Sequence, residues 1–267
     1  MILMVIWSKD RAMQCDALLR SCAKCASGIF DIKVIWTASS KDLESGYDKL
    51  VNKWNASATF IKQSNFKADL INILESSDSE YFLGNSDDNL FINYMPQGFD
   101  PDLKDDEAAV SLRLSPLINY CQPASLSISS PEAIARPPFY AIRWEDADPR
   151  GCWGYPNPCD SNIYRKEWFL DIIKNAEFEN PRQLELLLNA SRSRSKPIVK
   201  FSKKSVLVNV CNNCVVNSGN PCGSDSIEYL NSKWLSGNVI DADDFFEKTY
   251  LMCHVMKPYK FIEVENA

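Results

Sequence analysis

Two adjacent acids, Asp87 and Asp88, followed by Asn89, stand between the apolar runs Tyr81-Phe82-Leu83 and Leu90-Phe91-Ile92. Carboxylates placed side by side at the end of a buried segment repel one another and lose hydration unless something positive neutralises them. A hard divalent cation with oxygen ligands would do that, and a solvated Asx turn is the simpler alternative. Other chemistries are excluded by what the chain lacks. There is one histidine, His254, so multi-histidine zinc hydrolases are ruled out. The first apolar run is followed by no GxGxxG and no GxxxxGK[ST] follows any run, which argues against dinucleotide and P-loop sites; no GxSxG elbow is present. Two CxxC pairs occur, Cys22/Cys25 and Cys211/Cys214, with Cys222 nearby, but the pairs fall on a helical and a strand-like segment. Buried free thiols in a reducing compartment are the expectation, rather than a zinc site.

The elements that must position these acids follow from apolar periodicity. Met1–Trp7 is a continuous apolar run of strand length, broken by Ser8-Lys9-Asp10-Arg11. Met13 to Ala26 carries Met13, Ala17, Leu18, Ser21, Cys22 and Cys25 at helical spacing. Ile32–Trp36 reads as the next strand, with Thr37-Ala38-Ser39-Ser40 as its polar exit, then Asp42–Trp54 as a helix, Thr59–Ile61 as a strand and Lys67–Glu75 as a helix. Strands alternating with helices imply βαβ units and a mostly parallel sheet flanked by helices, an α/β fold. In such sheets ligands bind at the carboxyl ends of the strands, where Ser8–Arg11, Thr37–Ser40 and Asp87–Asn89 all fall.

The second half reads differently. Val110–Leu114 is a strand, and residues 115–158 are rich in proline and aromatics, as an ordered functional loop would be. Trp168–Asn175, Gln183–Ala190 (started by Asn180-Pro181), Ser224–Ser236 and Asp243–Lys248 read as helical. Ser205–Val216 and Tyr259–Val264 read as strands. With no repeat or linker, one domain over 1–267 is expected, its residues 1–95 binding ligand and 96–267 closing the other side. A net charge of −6 argues against nucleic acid as partner. No run approaches the roughly 20 apolar residues of a membrane span, and Met1–Trp7 lacks a basic flank and a cleavage site, so a cytoplasmic location is expected.

The chain resembles the nucleotide-sugar-dependent glycosyltransferases of the GT-A fold, and is similar to family 2 among them. Ser86–Asn89 resembles the DXD-type motif of that fold, and Ser8-Lys9-Asp10-Arg11 the loop after the first strand that holds the nucleotide. Thr37-Ala38-Ser39 and Gly46-Tyr47 fit the same pattern, as does Val110-Ser111-Leu112-Arg113-Leu114 for the strand behind the acceptor site. Trp153-Gly154-Tyr155-Pro156 with Asp160-Ser161-Asn162-Ile163-Tyr164-Arg165, then Glu179–Glu185, and Leu230-Asn231 through Gly237 and Asp241, follow in the family's order over residues 1 to about 262. Ser161 stands where the family shows Gly, Ser86 replaces the first acid, and Val210–Cys214 replaces a Pro-x-Asn-Arg-type segment.

The resemblance implies transfer of a sugar from a nucleoside diphosphate to the hydroxyl of a glycan or other acceptor. It implies Mn2+ or Mg2+ held by Asp88, with Asn89 or Asp87, and His254, and a donor held by Ser8, Lys9, Asp10, Arg11, Thr37, Ser39, Asp87 and Arg165. Glu185 is the expected general base, with Asp160 its rival and Glu145-Asp146 a weaker third. If His254 ligates, Mn2+ should exceed Mg2+ and activity should fall below a pH of about 6.5. Lys257 and Lys260 are candidates for the phosphates, and Trp144, Trp153 and Tyr155 for stacking on the acceptor sugar. The alternatives are a non-catalytic nucleotide-sugar or glycan binding module, and a nucleotidyltransferase, although Ser8–Met13 offers no glycine for a nucleotidyl loop.

Overall fold

A computed structural model describes residues 1–96, 98–215 and 221–263. The expected strand ends at Val216 and Val264 lie outside the described residues. The first half runs β1 (Ile2–Lys9), α1 (Ala12–Cys25), β2 (Phe30–Thr37), α2 (Lys41–Trp54), β3 (Thr59–Lys62), α3 (Phe66–Ser76), β4 (Tyr81–Ser86) and β5 (Asn89–Phe91). Then come β6 (Glu107–Ser111), the small pair β7 (Tyr120–Cys121) and β8 (Leu126–Ser127), β9 (Ile134–Arg136), β10 (Phe139–Arg143), β11 (Asn162–Arg165), α4 (Lys166–Ile173) and α5 (Pro181–Ala190). The chain closes with β12 (Ile198–Phe201), β13 (Leu207–Val210), α6 (Ile227–Leu235), β14 (Asn238–Ile240), β15 (His254–Val255) and β16 (Phe261–Glu263).

The central sheet has nine strands in the order β3-β2-β1-β4-β11-β6-β12-β10-β9. Strands β3, β2, β1, β4, β6, β12 and β9 point one way, with β11 and β10 against them, so the expected mostly parallel α/β sheet is present. β1 is central because it has no polar face: Leu3 to Ile6 are wholly buried. Helices cover both faces, giving two apolar cores, one around α1, α2 and α6 and one around α3, α4 and α5. Each helix opens on a side-chain cap where the sequence offers one. Ser40 accepts the Leu43 N–H at 3.3 Å and Asn180 the Gln183 N–H at 3.0 Å, with Pro181 in the first turn of α5.

Register brings the strand ends together. Lys9 lies beside Thr37 and Trp7 beside Ser86, so the segments after β1, β2 and β4 emerge at one edge. β4 can approach β1 and the 159–161 turn this closely because residue 84 is glycine. A Cβ there would collide with the Cys159 carbonyl and the Trp7 ring. Gly84→Ala is therefore expected to cost about 1–3 kcal/mol, as overpacked sites do. It should also displace the Asp160 turn, which urea unfolding and a loss of activity beyond the folded fraction would report.

Three expectations about elements are corrected. Val110–Leu114 is strand only to Ser111, because Leu112 turns to donate its N–H to the Ser161 carbonyl at 2.9 Å. Asp243–Lys248 is a short 3-10 turn over Ala242–Asp244 rather than a helix. Cys214 and Cys222 form a disulfide, whereas the other eight cysteines are free as expected.

Candidate active site

Two clefts open at the carboxyl edge of the sheet. The first, with a cavity volume of about 940 Å³, is lined by Ser8, Lys9, Arg11, Thr37, Ser39, Asp87 and Asp88. The second, about 660 Å³, is lined by Arg113, Tyr155, Asp160 and Glu185 among others. Both volumes suit small ligands. Trp7, Ser86, Pro181, Arg182 and His254 line both, so the two clefts share one wall.

In the first cleft one guanidinium meets two acids. Arg11 Nη1 lies 3.1 Å from Asp87 Oδ1 and 2.8 Å from Asp88 Oδ2. Asp87 Oδ2 accepts from the Ser8 hydroxyl at 2.8 Å and the Lys9 N–H at 3.3 Å. Tyr47, wholly buried on α2, holds the loop from beneath, 2.6 Å from Ser8 Oγ and accepting the Arg11 N–H at 3.1 Å. Burial drives the Asp87 carboxyl up to about 6, with Arg11 opposing and Asp88 reinforcing the shift. Burial alone would lower the Arg11 value, but Asp88 and Asp87 carry it above its ordinary range. Asp10 turns away from the cleft at φ 60°, its carboxylate accepting the Ser39 N–H at 2.6 Å and hydroxyl at 3.0 Å, so it shapes the rim and does not line it.

The shared wall is a second charge network. Asp160, buried, accepts from Ser86 Oγ at 2.8 Å and Asn89 Nδ2 at 3.0 Å, and pairs with Arg113 Nη2 at 3.0 Å. Burial raises its pKa, but Arg113 and the two hydrogen bonds outweigh that and hold it below the usual carboxylate range. Arg113 Nη1 lies 3.2 Å from His254 Nε2. A guanidinium has only donors, so the imidazole nitrogen accepts and the ring is neutral. Burial and the Arg113 charge push His254 down to about 4.

Glu185 sits in the first turns of α5, inside the second cleft. Its carboxylate accepts the Cys159 N–H and contacts the Tyr155 hydroxyl. Burial and the nearby Asp160 charge raise its pKa, and the Cys159 contacts and Arg113 only partly compensate. The two carboxylates of this cleft are thus pushed apart, Asp160 downward and Glu185 upward.

Several expected residues are placed elsewhere. Arg165, expected to hold the donor, is removed from the first cleft: antiparallel β11 sets it beside Tyr81, five residues from Ser86, roughly 17 Å along the strand. There it pairs with Glu80 and the Leu103 carbonyl. Asn89 is wholly buried, its amide given to Asp160 and its Oδ1 accepting from Asn209 Nδ2 at 3.0 Å, so it organises the wall and presents no ligand. Lys257 and Lys260 are tied to Asp244, Lys260 at 2.9 Å. Trp144 and Trp153 are core, with indole N–H groups on the Lys196 and Ile118 carbonyls; Tyr155 alone of the three aromatics lines the cleft. Glu145 is exposed and pairs with Arg143.

Whether these residues fit a divalent cation turns on how fully their oxygens are engaged and how far they are exposed to the cleft. Among the described residues no three His, Cys, Asp or Glu side chains group to hold a metal. Both Asp87 oxygens are engaged, and His254 Nε2 faces Arg113. Asp88 lines the cleft and is 13% exposed, with Oδ1 accepting from Asn209 Nδ2 at 2.7 Å and Oδ2 from Arg11. That suits a cation of the kind bound by one or two carboxylates together with substrate phosphates, and not a preformed protein cage. Arg113 itself was missed as a functional residue, although a lone charge in the apolar run Val110–Leu114 is a signal that could have found it.

The structure thus sets two clefts at the carboxyl edge of a mostly parallel α/β sheet, one lined by Asp87 and Asp88 and the other by Asp160 and Glu185. No family model and no curated protein matches the chain. Among solved structures it is similar to TarS 1-349 of S. aureus, with TM-score 0.48, 14% identity, and 78% of this chain and 60% of that one covered. It is also similar to an active-site mutant of LgtC, with TM-score 0.43 and 9% identity over 88% and 95% of the two chains. The inositol-1-phosphate CTP transferase of T. maritima is similar too, with TM-score 0.45 and 12% identity over 89% and 97%. The chain thus spans about three fifths of the TarS 1-349 structure that it matches. The reading of its chemistry therefore rests on its own residues.

Proposed function

We propose that the chain is a glycosyltransferase that moves a sugar from a nucleoside diphosphate to an acceptor hydroxyl, with Glu185 as general base. The observation that carries this is the pair of carboxylates, Asp160 held low and Glu185 pushed up, that line the second cleft beside the wall it shares with the first. Glu185 takes the proton of the acceptor hydroxyl as that oxygen attacks the anomeric carbon. The bond from that carbon to the β-phosphate oxygen breaks, and its electron pair leaves on the diphosphate. Asp160, kept ionised by Arg113, is set to hold the hydroxyls of the sugar between the clefts. His254 acts by orienting Arg113.

The donor cleft alone is poorly suited to a diphosphate, since two carboxylates face one guanidinium. A divalent cation would supply the missing positive charge, and Asp88 is the residue that would hold it. With His254 turned to Arg113, Mn2+ is expected to have no advantage over Mg2+. A nucleotidyl transfer fits less well, because Arg11 is spent on Asp87 and Asp88 and the loop from Ser8 to Met13 has no glycine.

Thermal unfolding with uridine, guanosine or cytidine diphosphate, with Mg2+, Mn2+ or chelator, tests the donor side. One nucleotide should stabilise by about 2.7 kcal/mol at a hundredfold excess over its dissociation constant, and only with metal. Asp88→Asn should lose the metal-dependent part and His254→Ala should keep it. Binding that is indifferent to chelator in the wild type would remove the cation from the proposal.

A further inference from the structure

Three cysteines from separate segments meet on the wall of the second cleft. Cys121 ends β7, Cys152 opens a 3-10 turn, and Cys253 precedes β15; all three line the cleft and none is bridged. The backbone sets up this meeting. Tyr120 bridges Met252 in parallel, which brings Cys121 alongside Cys253. The Trp153 indole N–H donates to the Ile118 carbonyl at 3.1 Å, drawing the 152–154 turn to the segment that leads into β7. Cys121 Sγ faces the Arg150 carbonyl at 4.0 Å, two residues before Cys152, and the Cys152 thiol interacts with the sulfurs of both other cysteines. Cys253 Sγ likewise faces a carbonyl, that of Arg113 at 3.8 Å, and it is the more deeply buried of the two partners of Cys152.

Nothing in the transfer reaction needs these thiols. Burial pushes Cys22 up to about 12 and Cys25 to about 11, whereas Cys121 and Cys253 are lowered by the Cys152 thiol, whose own proton is held more tightly. The hydrogen bond from Cys152 favours the Cys121 thiolate and lowers its pKa against the effect of burial. A cleft-lining sulfur whose thiolate a neighbouring thiol favours, with that thiol beside it to resolve the product, is the arrangement that reacts with peroxides.

We propose that Cys121 and Cys152 form a peroxide-reactive thiol pair, a reversible oxidation site in the wall of the second cleft. The Cys121 thiolate attacks one peroxide oxygen, the O–O bond breaks, hydroxide leaves and Cys121 becomes a sulfenic acid. The Cys152 sulfur then attacks the sulfenic sulfur, the S–O bond breaks, and the hydroxyl leaves as water with the Cys152 proton. The product is a disulfide, the peroxide being the two-electron oxidant. It ties the β7 hairpin to the 152–154 turn, both in the cleft wall that carries Tyr155 and Glu185. The consequence for acceptor entry rests on the reading of that cleft given above, whereas the bond itself does not.

The test is made on the reduced full chain treated with equimolar hydrogen peroxide, blocked with iodoacetamide, digested and mapped by mass spectrometry. The expected product is a Cys121–Cys152 linked peptide that dithiothreitol dissolves. Cys152→Ser should leave Cys121 as a sulfenic acid trapped by dimedone. In the untreated protein at pH 7, iodoacetamide should label Cys121 at least about tenfold faster than Cys22. Both thiols remaining alkylable after peroxide, or linkage through other cysteines instead, would overturn the proposal.

Discussion

Glu185→Gln is expected to lower acceptor-dependent turnover at least about a hundredfold while leaving donor affinity nearly unchanged, because a general base acts in the transition state and not in donor binding. The amide keeps the shape and the contact to the Cys159 N–H but cannot take a proton. Since burial and Asp160 raise the Glu185 pKa, the acid limb of the rate profile should lie above the ordinary glutamate value of about 4.3. Burial and the Arg113 charge push His254 down to about 4, so the limb is expected from Glu185 and not at about 6.5, the value expected had His254 held a metal. The same shift has a sign for stability. A raised folded-state pKa contributes stability below the unfolded value, and that contribution is lost as pH rises through the folded value. Ionised Glu185 therefore costs stability at neutral pH, and the Gln variant should be at least as stable as the wild type. An inactive but equally or more stable variant is the signature of a base strained by its site. Asp160→Asn should behave differently: it leaves Arg113 buried without its carboxylate, so donor binding, turnover and stability should fall together. Full activity in Glu185→Gln with loss only in Asp160→Asn would move the base to Asp160.

Much of the N-terminal half was legible because its physics is local. The all-apolar run of β1 and the one-faced periodicity of α1 and α2 specify a buried strand and its crossover helices with no knowledge of partners. The polar exits after β1, β2 and β4 then share an edge by the parallel rule, which is how Ser8, Arg11, Thr37, Ser39, Asp87 and Asp88 came to one cleft. The errors arose where long-range register decides. Arg165 follows Asp160 by only five residues, yet an antiparallel strand carries it to the far end of β4. Asn89 stands next to Asp88, but alternation along β5 turns its amide into the wall toward Asp160. Trp144 and Trp153 sit among polar residues in sequence and inside the second core in space, because short strands and 3-10 turns between residues 115 and 158 give no period to read.

The largest effect on stability is expected at Arg11. Its side chain is 8% exposed, and those of Asp87 and Asp88 are 5% and 13% exposed, so the triad is nearly dry. Removing one partner from a buried ion pair leaves an uncompensated charge, at a cost of about 3–5 kcal/mol. Arg11→Met, which keeps the bulk, should lose stability on that scale in urea unfolding at pH 7. Some of the loss should return as the pH is lowered, because protonation of the acids then removes the repulsion. Mg2+ provides an independent handle. If Asp88 can hold a divalent cation, millimolar Mg2+ should restore part of the stability of Arg11→Met and none in Arg11→Met/Asp88→Asn. The cation would then be doing for the empty protein what the guanidinium does in the wild type, and in the donor complex the two would share the acids and the diphosphate between them. A loss below about 1 kcal/mol in Arg11→Met would mean that the acids are already neutral when paired, and with it the argument that this cleft calls for a cation would fail.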